Sequence, residues 1–278
     1  VSTRGQILFL TDTSAHGMSF IGAPFTFGFQ KLGTNCGAVS PHCAVDISGI
    51  IYWMSSDGFY MFDGTVRKMP CAVEDFVFDN IDTTQSEQVY AGSNSAYGEV
   101  IWFYCSTASN QIDKYVIFNY QENLWYTGSL DRSTWIDSGT YPLPYATEYD
   151  GTDSLLYVHE SGTDDDGSTM TSFIESGDFD VGDGDQMMFV KKGIQDFKDQ
   201  VGNVNISLKS RYYPTDTQTT KGPFYLSTTT QRFNPRTRGR QVAVRIESNG
   251  YNGSSNDALS ENWRLGTLRF EVQPDGMR

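Results

Sequence analysis

The chain alternates short aromatic and β-branched runs with polar turns, and the pattern recurs. Ile50-Ile51-Tyr52-Trp53-Met54, the turn Ser55-Ser56-Asp57-Gly58, Phe59-Tyr60-Met61-Phe62 and the turn Asp63-Gly64 make one unit. Val100-Ile101-Trp102-Phe103-Tyr104, a polar stretch and Tyr115-Val116-Ile117-Phe118-Asn119-Tyr120 make a second. Runs of this kind, closed by Gly, Asp, Asn and Ser, are strand-and-turn chemistry. A fainter copy opens the chain at Gln6 to Phe9 with Met18 to Ile21, and another begins at Leu155-Leu156-Tyr157-Val158-His159. Leading strands roughly 45 to 55 residues apart match the period of a four-stranded propeller blade. One segment breaks the rhythm. Val73, Phe76, Val77 and Ile81 fall at helical spacing within Ala72 to Asp82 and predict one short helix between blades.

From Ser172 onward the strands lengthen and alternate strictly. Val204, Ile206 and Leu208 interleave with Asn205, Ser207 and Lys209; Val242, Val244 and Ile246 with Ala243, Arg245 and Glu247; Leu268, Phe270 and Val272 with Arg269, Glu271 and Gln273. A period of two with one apolar face describes a half-buried antiparallel strand. Further strands are expected near Phe173 to Val181, Met187 to Ile194 and Phe224 to Thr228. The expected fold is therefore all-β: β-propeller-like blades over residues 1–171, then an antiparallel β-sandwich-like domain over residues 172–278. Three or four blades do not readily close a propeller ring. The first residues already read as strand and no initiator Met is present, so we expect the C-terminal part of a larger propeller, or an open stack completed by something else.

Charge narrows the partners. A net charge of −14 argues against a sequence-reading grip on nucleic acid, which needs Lys and Arg against phosphates, yet lets a duplex slide past without sticking. The charge is also polarised. Roughly a dozen carboxylates and no Lys or Arg lie between Asp150 and Gln186, whereas Arg232, Arg236, Arg238 and Arg240 crowd together near the C-terminus. Opposite poles on one chain suit head-to-tail contact between identical copies. The candidate interface residues are accordingly those four arginines and Asp164, Asp165 and Asp166. For the arginine cluster, a phosphate contact and a plain exposed strand-entry loop remain open beside the subunit contact.

The search for catalytic chemistry yields little. Cys36, Cys43, Cys71 and Cys105 form no paired framework and read as reduced thiols from a reducing compartment. Cys36, His42 and Cys43 lack a second ligand pair at zinc spacing. In Gly162 to Gly167 the Asp run resembles a calcium loop, but Gly162 and Phe173 occupy the first and twelfth ligand positions, so a solvated turn is expected. Ser55-Ser56-Asp57-Gly58 departs from a sialidase Asp box, with Gly one residue early and no Trp following, and reads as a hairpin turn. His16, His42 and His159 sit in no motif, and no nucleophile elbow or phosphate-binding glycine pattern occurs. No catalytic residue, metal or cofactor is expected, nor a signal peptide or membrane span.

Several strings carry a resemblance. They are Pro24 to Phe29, Gly49 to Met54 with Phe59 to Gly64, Phe173 to Asp180, Arg238 to Ser248, and Trp263 to Thr267 with Gln273 to Gly276. Across nearly the whole chain these resemble bacteriophage virion proteins called tail stabilisation, hub or nozzle proteins of short-tailed phages. The resemblance implies a propeller-bearing, non-enzymatic subunit that forms a homo-oligomeric ring, hexameric in kind, below the portal and adaptor proteins. There it would extend the channel through which genome DNA passes, hold tail fibres or spikes, and belong to the virion tail after assembly in the host cytoplasm. A reading from another class is a glycan-binding or glycoside-hydrolase-like propeller, because exposed aromatics stack on sugar rings.

Overall fold

Apolar runs in residues 1–161 pair with their nearest neighbours along the chain, because the turns between them are too short for any other route. β1 (Ile7–Leu10), β2 (Ser14–Phe20) and β3 (Phe27–Thr34) form a three-stranded antiparallel sheet. β4 (Ala44–Ile47), β5 (Ile50–Ser55), β6 (Gly58–Phe62) and β7 (Val66–Lys68) form a four-stranded meander. A helix, α1 (Glu74–Phe78), and a 3-10 turn (Thr83–Gln88) lead to a second meander. Its strands are β8 (Tyr90–Asn94), β9 (Glu99–Tyr104), β10 (Lys114–Asn119) and β11 (Leu124–Ser129). β12 (Thr134–Ile136), β13 (Tyr145–Tyr149) and β14 (Ser154–Val158) close the series as a three-stranded sheet. The structure, a computed structural model, describes every residue except 4, 150, 151, 165, 169, 249–260 and 278, together with the side chain of residue 277.

Two expectations need correction. Leu155 to Val158 does not lead a unit; it is the last strand of its sheet, whereas the aromatic strands β5 and β9 are the second strands of theirs. The helix is shorter than its apolar spacing implied. Val73 is already its N-cap and Ile81 lies beyond it in a bridge to Ser106, so Phe76 faces outward while Val77 is buried.

A strand with one wet face alternates in burial, but β5 and β9 do not. Residues 51–55 and 100–104 are buried without a break, because each meander lies between two other sheets. The tryptophans make those joins. Trp53 Nε1 donates to the Cys36 carbonyl at 2.9 Å, Trp102 Nε1 to Cys43 at 2.9 Å and Trp135 Nε1 to Ser93 at 2.7 Å. Each indole thus reaches the backbone of a preceding sheet or the segment leading from or into it. Rings fill the layers: Phe59 lies 4.9 Å from Trp102 and 4.7 Å from Trp125, and Phe103 lies 5.8 Å from Trp135. Gly92 permits the last join, since a Cβ there would come within 2.5 Å of the Trp135 ring.

Residues 162–278 form a second compact unit. β15 (Phe173–Glu175) and β16 (Gln186–Ile194) are followed by β17 (Phe197–Val201), β18 (Val204–Arg211) and β19 (Thr219–Leu226). β20 (Thr237–Gly239), β21 (Gln241–Ser248), β22 (Asn262–Leu265) and β23 (Arg269–Met277) complete it. They build the sheets β15-β21-β18-β19, β20-β16-β23 and β17-β22, all antiparallel. Met188 and Val190 meet Val204, Ile206, Leu208, Val242, Val244 and Ile246 in one core. The polar face of β18 is not wet as its alternation implied: Asn205 and Ser207 are buried. Beside them Glu175 accepts from Lys209 at 2.6 Å and from Arg245 at 3.0 Å, and the Arg245 guanidinium lies 4.0 Å from the centre of the Phe173 ring. Long cationic side chains of this sort cover a face with their stems while their heads stay paired.

Candidate functional site

The arginine cluster owes its geometry to an alternating extended segment. Phe233, Pro235, Thr237 and Gly239 turn inward and are buried, so Arg232, Arg236 and Arg238 project from the same stretch as exposed side chains, with Arg240 half-buried. Two of the four have internal company. Arg238 Nε sits 2.7 Å from Asp275, and its guanidinium lies 5.6 Å from the centre of the ring of Phe189, its cross-strand partner. Arg240 lies over Tyr213 at 5.4 Å, and its Nε is buried without a hydrogen-bond acceptor. Among the described residues, Arg232 and Arg236 have no ion-pair or ring partner.

Among the described residues, Asp164 and Asp166 form no ion pair with these arginines. Asp164 Oδ2 accepts from the Gly167 amide at 2.8 Å, closing the turn, and Asp166 is exposed in a left-handed conformation at φ 48°. Asp165 and Asp150 lie outside the described residues. Further along the acidic run, Asp178 pairs with Arg211, and Glu175 with Lys209 and Arg245. Those cations hold the Glu175 carboxyl below the usual carboxylate range, the Lys209 hydrogen bond first among them. A groove of about 420 Å³ opens between Ser210, Arg211, Thr219 and Arg238. Asp178 and Asp275 already match its two guanidiniums, and Asp216 adds a further carboxylate, so it holds no surplus positive charge for a free phosphate.

A second polar cluster, which no motif announced, lies where β8, β9 and β11 meet the end of β14. Asn94 is almost wholly buried, and its Nδ2 donates to Glu160 at 2.9 Å and to Glu99 at 3.3 Å. The Tyr126 hydroxyl donates to the other Glu99 oxygen. Burial chiefly, and the Glu160 charge next, push the Glu99 carboxyl above its ordinary range, while burial and Glu99 push Tyr126 upward. The only hint in the sequence is that Asn94 and Glu99 flank a tight hairpin; Glu160 arrives from a distant strand.

The histidines and cysteines occupy structural positions. Arg132, itself buried, donates to His159 Nε2 at 2.9 Å and to Glu148 at 2.6 Å, while its guanidinium covers Tyr157 at 4.0 Å. His42 stacks on Tyr90, and Cys43 Sγ donates to the Ser40 and Met54 carbonyls. Burial raises the Cys71 and Cys105 thiols to about 11, which keeps them protonated and unreactive at neutral pH. Among the described residues no three His, Cys, Asp or Glu side chains converge as a metal site. Ser55 and Gly58 pair directly across a two-residue turn, the geometry of a hairpin. No protein-family model matches the chain, and none of the curated proteins searched is similar to it.

Proposed function

We propose that the chain is a non-enzymatic structural subunit of a bacteriophage tail, of the nozzle or hub kind. In this reading the four sheets of residues 1–161 are propeller-like blades and the second unit is sandwich-like. Copies form a ring in the virion tail, made in the host cytoplasm. The ring prolongs the DNA-exit channel and anchors portal or adaptor proteins above and fibres or spikes below.

The observation that carries the proposal is the serial stack of antiparallel meanders, each stitched to the one before by a buried tryptophan. Of the strings behind the resemblance, Gly49 to Met54 and Phe59 to Gly64 lie along the β5-β6 hairpin of this stack, while in the second unit Phe173 to Asp180 begins with β15 and Arg238 to Ser248 spans the end of β20 and all of β21. The net charge of −14 supports a channel wall that DNA passes without adhering.

Exposed phenylalanines on β1 to β3 are what favours the glycan-binding alternative. Sugar sites combine stacking rings with several hydrogen-bonding groups, however, and the rungs that carry these phenylalanines offer His16 and Lys31. Mass spectrometry of purified virions, with gold-labelled antibody in electron microscopy, tests the proposal. The expected result is label at the tail. Virions that lack the chain would overturn it, and specific binding on a glycan array would favour the alternative.

A further inference from the structure

The two sheets at the ends of the stack differ from the two in the middle. The inner strands of the middle meanders, β5 and β6 in one and β9 in the other, are buried on both faces, whereas each end sheet has one face in the core and one in solvent. Cross-strand partners share a face, so the register identifies the open one. In the first sheet Ile7, Met18 and Phe29 form one rung, Phe20 and Phe27 another, and Phe9 sits on the next. These are not stray apolar residues: Phe20 is 72 %, Phe27 51 % and Phe29 71 % exposed, while Leu8 and Ala15 on the opposite face are buried. In the last sheet Trp135 and Ala146 face inward, and Ile136, Tyr145 and Val158 form an outer rung beside Leu156. Ile136 is 55 % and Leu156 66 % exposed.

We infer that these two open faces are the two halves of one contact, through which the first sheet of one copy docks on the last sheet of a second copy. Two observations support a second copy as the occupant. The first is continuity, because sheet-on-sheet packing already joins every neighbouring pair in the stack, and docking would extend it across chains. The second is area. At 150–250 Å² per ring, the exposed phenylalanines of the first face present on the order of 500 Å². Matched by the last sheet, that reaches the roughly 1,000 Å² expected of a specific interface. Because the two faces differ, the contact is heterologous, and the same step repeats until it closes into a ring or extends as a filament.

The inference deepens the reading above by naming where copies meet, but its test is independent of virions. Sedimentation velocity of the full chain is compared with a first-face variant, Phe27→Ser with Phe29→Ser, and a last-face variant, Leu156→Asp. All altered side chains are exposed, so circular dichroism and melting should match the parent. The expected result is a self-associating parent, at least about tenfold weaker association in each variant, and a 1:1 dimer when the two variants are mixed, since each keeps the face that the other lacks. A parent that stays monomeric at high concentration overturns the inference. So does a first-face variant that loses association while the last-face variant keeps it, which would mean a symmetric contact. Recovery of the parent on lipid vesicles as a monomer overturns it as well. Association through these faces in a chain absent from virions would overturn only the tail assignment, and monomeric chain in a labelled tail only this contact.

Discussion

At Glu99, burial and the Glu160 charge disfavour the ionised carboxylate, and the hydrogen bonds from Tyr126 and Asn94 only partly compensate. Because its folded pKa is raised, the folded state binds that proton more tightly than the unfolded chain does. Its favourable contribution is therefore complete below the unfolded value near 4.5 and is lost as pH rises through the folded value. Glu99→Gln keeps the acceptor for Tyr126 and removes the charge. The variant should melt higher than the parent at pH 7, with the gap closing toward pH 4; a parent more stable at neutral pH would contradict this. Glu175 is the opposite case. Lys209 and Arg245 depress its pKa, so its contribution is present above about 4.5 and fades as pH falls through the lower folded value. Glu175→Gln should destabilise by about 1 kcal/mol at pH 7 and progressively less in acid, because the pairs are partly solvated. Melting curves of both variants across the same pH series compare the two carboxylates directly.

Between elements, the buried indoles are the groups to test. Trp102 bridges the meanders with its ring against Phe59 and its N–H on the Cys43 carbonyl. Trp102→Phe leaves that carbonyl with the Met54 amide as its remaining donor, at 3.3 Å, and opens space beside Phe59, so urea unfolding should show a loss of about 1–3 kcal/mol. A loss below about 0.5 kcal/mol would mean that the sheets are not joined there. The strands themselves were legible in the sequence, since aromatic runs between Gly- and Asp-bearing turns leave few other local conformations. Two-sided burial of β5 and β9 emerged only from the structure, although their unbroken apolar runs are what such burial requires. The sequence was silent on which strand begins a unit: Leu155 looked like a leading strand because its apolar composition matches, and only pairing with Glu148 shows that it closes a sheet. Polar alternation misled at Asn205 and Ser207, where ion-paired side chains cover what looked like a solvent face. The Glu99 cluster was invisible because Glu160 reaches it only after folding, and the arginine cluster was visible in composition but not in its pairing.

For the whole molecule, the charge poles remain the second place where copies can meet, and the structure shifts the emphasis among the arginines. Arg238 is committed to Asp275 in its own chain, so Arg238→Glu sets two carboxylates side by side and disturbs the sheet as well as any contact. Arg232 and Arg236 are exposed and have no ion-pair partner among the described residues, so they are the cleaner probes. On the acidic side Asp164 closes a turn through Gly167, whereas the exposed carboxylate of Asp166 can be changed without losing that bond. If the poles dock between copies, Arg232→Glu with Arg236→Glu should weaken self-association about tenfold, equivalent to about 1.4 kcal/mol. Rising salt should weaken the parent in the same direction, because exposed charges are screened beyond a Debye length. Adding Asp166→Lys to that variant reverses both poles and should recover part of the loss, a result that unfolding or general surface charge would not produce. Sedimentation equilibrium on the three proteins at low and high salt decides it. Association that ignores the reversal confines the contact to the sheet faces, whereas loss with recovery assigns the poles a share in fixing how copies orient.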